Sequence, residues 1–215
     1  MRVFIAAGHS PHEDNPNSQT FEYHKCSEVM DLTASLLTRS GYEVTVPSEE
    51  VYTLTNNAAL IRKVAEANDA KADLAIELHL NAGGGEYGTT LFWSDGATEK
   101  ESEAGSMASE LIASAFDETL PWTQQYDSQS DMGRSLYFLN KTNCPAVIPE
   151  PAFMDTKKHM LWIDSPSFVV DYAISVYQGV KNYSYEIESE EDIQSHLNRK
   201  KVLSGIKVID GGKKS

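Results

Sequence analysis

Five short apolar runs, Val3–Ala7, Tyr42–Val46, Leu74–Leu78, Thr89–Trp93 and Ala146–Ile148, alternate along this chain with longer segments of a different period. The short runs read as strands, mostly buried. Residues 19–40, 56–70, 99–117 and 166–183 repeat apolar positions every three to four residues and read as helices. Strand–helix–strand order of this kind indicates an α/β fold: a single domain with a mostly parallel or mixed central sheet and helices on both faces. Gly41, a residue that accepts positive φ, is expected to end the first helix. With 215 residues, 40% of them hydrophobic, the chain can bury one full core.

Charge narrows the partners. Asp and Glu number 32 against 18 Lys and Arg, a formal charge of −14. Residues 186–215 balance six acids with six bases, so the whole excess lies in residues 1–185. An acidic body of this kind argues against nucleic acid as the main partner and against docking on anionic lipid, both of which need clustered Lys and Arg. No stretch approaches the length of apolar chain that spans a membrane. The opening MRVFIAAGHS lacks the long apolar core and cleavage site of a secretory signal, so synthesis in the cytoplasm is expected. Cys26 and Cys144 fit no metal-finger spacing and read as thiols of a reducing compartment.

Two segments depart from the alternation. Residues 119–133 read as a long polar loop carrying Trp122 and Tyr126, with Arg134 just beyond it. After Tyr185 the character changes, and Ser189 to Asp192 resembles a capping box opening a short helix through about Leu203. The division expected is therefore residues 1–185 as the functional domain and 186–215 as a short helical tail. That tail is free to pack on the body, pair subunits or hold a partner, and the sequence does not choose.

Polar residues stand where a purely structural chain would prefer apolar ones. His9 follows the first strand in Gly8-His9-Ser10, and His79 ends the strand Leu74–Leu78. Both fall beyond the carboxyl ends of strands, where open α/β sheets bind ligands. Glu22 shares a helix face with Cys26, Val29, Thr33 and Leu36, all within about 40° of it at 100° per residue. An inward-facing charge is costly unless compensated, and a metal ion compensates it well. Two His and one Glu leave a fourth position open, as a catalytic zinc site does. The competing reading is a hydrogen-bonded histidine pair beside a glutamate favoured by a helix N-terminus. Further on, Cys144 to Phe153 reads as a buried strand carrying Glu150 to the same edge. There a carboxylate can move a proton, or it faces solvent between Pro149 and Pro151. Other candidates fare worse: His12 reads as solvated, His24 and Glu28 face away from the apolar stripe, and His159 and His196 lack partners at useful spacing. Gly83–Gly85 lacks the Lys-Ser/Thr of a phosphate cradle and reads as a tight turn.

Taken together, these positions resemble the zinc-dependent N-acetylmuramoyl-L-alanine amidases found among bacterial cell-separation enzymes and phage endolysins. The resemblance rests on Gly8-His9, on Glu22 early in the first long helix, on Glu77-Leu-His79-Leu-Asn81-Ala82, and on Pro145-Ala-Val-Ile-Pro-Glu150-Pro-Ala-Phe153. Leu60-Ile-Arg62 with Ala67-Asn68 and the helix Ala173–Tyr183 extend it over about residues 2–183. It implies one zinc ion per chain held by His9, Glu22 and His79, with Glu150 as the catalytic acid/base. The implied reaction is cleavage of peptidoglycan between the lactyl group of N-acetylmuramic acid and L-alanine. Asn81, Trp122, Tyr126 and Arg134 are the candidates for gripping substrate. The implied setting is a phage endolysin that reaches the wall after release from the cytoplasm.

The chain also departs from that family. Ser10 replaces a glycine, the Thr-Arg that usually follows the second strand is missing after Val46, and Glu77 stands where serine is usual. Glu77 lies on the same strand face as His79, so it either orients that ligand or sits as a spare carboxylate. Two rival functions remain at this stage: a non-catalytic wall-binding or virion protein on the same fold, and a zinc peptidase cutting within the stem peptide.

Overall fold

The apolar run at the N-terminus forms β1 (Arg2–Ala7), whose last five residues are buried, in a computed structural model that describes residues 1–92, 99–117, 120, 123–127, 133 and 135–205. On one side β1 pairs in parallel with β2 (Glu43–Thr45), and on the other with β3 (Leu74–Leu78). Next in space, though late in sequence, comes β6 (Ala146–Glu150), parallel to β3. Beyond it lie β4 (Gly88–Phe92), antiparallel to β6, and β5 (Thr123–Asp127), parallel to β4. The resulting six-stranded sheet has the order β2-β1-β3-β6-β4-β5 and is mixed through its β6–β4 junction. Because β1, β3 and β6 run the same way, the residues that follow each of them emerge at one edge.

Helices cover both faces, as expected of chains that connect parallel strands. On one face α1 (Asn17–Arg39), α3 (Glu99–Asp117) and α6 (Phe168–Gly205) pack Val29, Ile112 and Tyr172 against Ile5, Ile76 and Val147. On the other, α2 (Asn56–Asp69) and α4 (Tyr137–Lys141) bring Val64 and Phe138 to Phe4, Ala75 and Ile148. A 3-10 turn at Glu49–Thr53 and the short α5 (Lys157–Ile163) complete the described elements. Helix α1 ends where Gly41 predicts: Gly41, at φ 91°, donates to the Thr38 carbonyl, and Tyr42 donates to Leu37. No helix among the described residues is long and apolar enough to cross a membrane.

Two expectations are corrected. The stretch 119–133 is not all loop, because Thr123–Asp127 forms an edge strand in full register with Gly88–Phe92. An edge strand needs only one partner, and the polar run TQQYD gave no strand signal of its own. No new helix opens at Ser189, since α6 runs unbroken from Phe168 to Gly205. The hydroxyl of Ser189 bonds back to the Glu186 carbonyl of the preceding turn instead of capping a helix start.

Candidate metal centre

The shared edge of β1, β3 and β6 brings the predicted residues together. Gly8 donates its N–H to the Leu78 carbonyl (2.7 Å) and His79 donates to Pro149 (3.1 Å), so pairing continues past the ends of the strands. Glu150, half-buried at the end of β6, thus lies on the strand directly beside His79. Tyr172 of α6 clamps the two strand ends, its single hydroxyl proton shared between the carbonyls of Pro149 (2.8 Å) and His79 (3.0 Å). His9 adopts φ 56°, a left-handed backbone that turns the chain sharply after β1.

Glu22 reaches this edge from α1. It is 3% exposed and lies in the buried stripe with Cys26, Val29 and Thr33, as its helical register predicts, although the stripe ends on buried Leu37 and the expected Leu36 is half-buried. Its Oε1 is 2.8 Å from His79 Nδ1 and accepts the N–H of Leu80 at 2.9 Å, while its Oε2 is 3.1 Å from His9 Nε2. The two imidazoles meet edge to face with centroids 5.0 Å apart. One ligand atom from each of His9, Glu22 and His79 can be chosen so that all lie within 4.8 Å of one another. Two imidazole nitrogens and a carboxylate suit a borderline-soft divalent cation and leave room for a further ligand, so these residues can hold a metal ion.

The electrostatics favour positive charge at this point. Burial would raise the Glu22 carboxyl, but its bonds to His79 and His9 outweigh that and hold it at about 2. Burial likewise opposes a charge on His79, yet hydrogen bonds to Glu22 and Glu77 raise it to about 10. Glu77 is also buried, and the neighbouring Lys63 ammonium and His79 bring it down to about 2. Its Oε2 is 3.2 Å from His79 Nε2, so both ring nitrogens of His79 face carboxylates.

Other predicted residues divide. Asn81 is half-buried at the same edge, its amide nitrogen donating to Thr89 Oγ1 (3.1 Å) and its oxygen accepting from Ala82 N (2.8 Å). Ser10, fully buried, donates to Leu54 O (2.6 Å) and, through its backbone, to Asn56 Oδ1 (3.0 Å), pinning the turn after His9. His12 pairs loosely with exposed Asp14, and His24 and Glu28 are exposed. Trp122, Arg134 and the side chains of Tyr126 and His196 lie outside the described residues. His159 does have partners: it is fully buried, accepting from Phe153 N at 3.0 Å and lying 3.1 Å from Glu86 O.

One residue escaped the sequence reading. Lys63 is 1% exposed on α2, in register with buried Ala59 and Ala67, and bonds Glu77 Oε1 at 3.1 Å. Its signal was of the kind that marks Glu22, a charge within an apolar helical stripe, here with Ala59 and Ala67 four residues to either side.

Known proteins share this arrangement of sequence and fold. The family profile described as N-acetylmuramoyl-L-alanine amidase matches residues 3–182. An endolysin of Bacillus phage SPP1 is 26% identical over 187 residues, covering 83% of this chain and 64% of that protein. An uncharacterized cell wall amidase of Bacillus anthracis is 26% identical over 126 residues, covering 58% of this chain and 24% of that protein. The chain thus spans about a quarter and just under two thirds of the lengths of these two relatives. Among solved structures, the N-acetylmuramyl-L-alanine amidase Ami1 of Mycobacterium smegmatis superposes with a TM-score of 0.69 at 15% identity. That match covers 85% of this chain and 96% of the other, a likeness of fold.

Proposed function

This chain belongs to the N-acetylmuramoyl-L-alanine amidase family, and from that premise we propose that it hydrolyses the amide joining the lactyl group of N-acetylmuramic acid to the L-alanine of the peptidoglycan stem peptide. One observation carries the reading. His9 Nε2 and His79 Nδ1 converge on the two oxygens of one buried carboxylate, at 3.1 and 2.8 Å, where three parallel strands end. His9, Glu22 and His79 would hold a single zinc ion. Bound there, zinc polarises an amide carbonyl and acidifies a water.

The chain's own groups complete the chemistry. Glu150, on the strand beside His79, takes the proton of the attacking water and returns it to the departing alanine nitrogen. The turn Gly83–Tyr87 and the segment 119–133, with Asn81, Trp122, Tyr126 and Arg134, are the contacts we assign to glycan and stem peptide. The catalytic unit is residues 1–185, and residues 186–215 are an appendage to it. Likeness to the SPP1 endolysin supports a phage lysin that acts on the wall once released. The net charge of −14 lies on the catalytic body and would not bind anionic wall polymers, so recognition falls to local contacts at the cleft.

Product analysis of digested sacculi tests the reading. New L-alanine amino termini without new reducing sugar ends are expected. New reducing ends would mean glycosidase action, and amino termini other than L-alanine would mean a stem peptidase; either result overturns the proposal.

A further inference from the structure

Both histidines of the proposed metal site are tied to one buried cation. Lys63 has three ammonium protons and meets three acceptors: the carbonyls of Ala7 (2.6 Å) and His9 (2.9 Å), and Glu77 Oε1 (3.1 Å). The other oxygen of Glu77 lies 3.2 Å from His79 Nε2. A path of direct contacts therefore runs from the backbone of His9, through Lys63 and Glu77, to the ring of His79.

Stability alone does not explain this arrangement. Desolvation offsets most of the attraction in a buried ion pair, and an apolar residue on α2 would cover the sheet as well. What matters is where the bonds end. His9 holds φ 56°, which residues with a Cβ rarely adopt, and Lys63 binds the carbonyl on each side of that bend. At the other end, Glu77 accepts a proton from His79 Nε2 and so fixes the tautomer of the ring. Nδ1, 2.8 Å from Glu22, is then the nitrogen that would give up its proton and turn a lone pair to a cation seated between the two groups. Charge follows the same logic: Lys63 cancels Glu77, so the centre offers a dication the single negative charge of Glu22.

We propose that Lys63 and Glu77 are positioning residues of the metal centre, setting the backbone of His9 and the Nδ1-ligating tautomer of His79. The proposal rests on the metal reading given above. Its test is zinc affinity, measured by competition with a chromophoric chelator, and the visible spectrum of the cobalt-substituted protein, on Lys63→Met, Glu77→Gln and the double variant. Each single variant, folded by circular dichroism, is expected to lose about 10- to 100-fold in zinc affinity and to shift the cobalt bands. The double variant, which frees both the His9 backbone and the His79 ring, should be weaker than either single one, though by less than the product of their losses because the two residues share a contact. Folded single variants with wild-type affinity and cobalt bands would overturn the positioning role. If Lys63→Met does not fold, Glu77→Gln decides, since its amide oxygen still accepts from Lys63 while its hold on Nε2 is weakened. A wild-type protein that takes up no zinc overturns the metal reading itself.

Discussion

Gly8 and His79 are packed so closely that a Cβ at position 8 would stand 2.4 Å from the imidazole ring. The ring cannot retreat easily, since Glu22 and Glu77 engage its two nitrogens and Tyr172 its carbonyl. Gly8→Ala is therefore expected to push His79 off its position. Zinc affinity should fall at least about tenfold, with a stability loss of about 1–3 kcal/mol from overpacking. Chelator competition and urea denaturation measure the two effects, and an unchanged affinity would show that the ring has room to move.

Glu22 has two separable jobs. It faces both histidines, and it also accepts the buried N–H of Leu80. Glu22→Gln keeps an oxygen for Leu80 but loses the charge, so it should fold near normally and retain no zinc. Glu22→Ala leaves that N–H unpartnered and should cost about 1–3 kcal/mol more than the Gln variant. Metal content by mass spectrometry and urea midpoints separate these effects. Equal midpoints for the two variants would mean that Leu80 finds another acceptor.

Glu150 is not among the three residues whose side-chain atoms converge within 4.8 Å of one another, and its neutral isostere should reveal its role. Glu150→Gln is expected to keep one zinc per chain and lose about 100- to 10,000-fold in turnover, the usual scale of a missing general base. Release of stem peptides from purified sacculi checks this. Turnover within a few-fold of wild type would remove Glu150 from the proton transfers.

Which features the sequence revealed follows from how each is held in place. Glu22 was legible because a charge inside an apolar helical stripe is anomalous from local spacing alone. His9 and His79 were legible because each follows a short, mainly apolar run that reads as a buried strand. Strand β5 was not, because its place comes from pairing with β4 at the sheet edge. The continuation of α6 was hidden by Ser189-Glu-Glu-Asp192, which has the composition of a helix start. Tertiary context decides the outcome there: Tyr183 is buried in the core, Ile187 packs against it, and the helix carries straight through. Lys63 bore the same signal as Glu22, but its meaning depends on Glu77 and His9, residues that only the fold brings to it.

His159 makes the acid side of the stability profile predictable. It is fully buried in the segment after β6, its Nδ1 accepting from Phe153 N at 3.0 Å. Nε2 therefore carries the proton and donates to Glu86 O at 3.1 Å, fastening this segment to the turn that Asp155 also holds through Gly83 and Gly84 N–H. The neutral ring satisfies both partners, whereas a second proton on Nδ1 would face the Phe153 N–H. Burial lowers the pKa of this imidazole from 6.5, a shift the Glu86 carbonyl only partly opposes. The unfolded chain thus binds a proton near 6.5 that the native protein refuses. The stabilising effect is complete above that pH and is lost as the pH falls below it. His159→Asn, whose amide oxygen replaces Nδ1 as acceptor, cannot titrate there. Between pH 7 and pH 5 the urea midpoint of the wild type should fall further than that of the variant. Equal falls in the two proteins would show that His159 does not carry this part of the acid response.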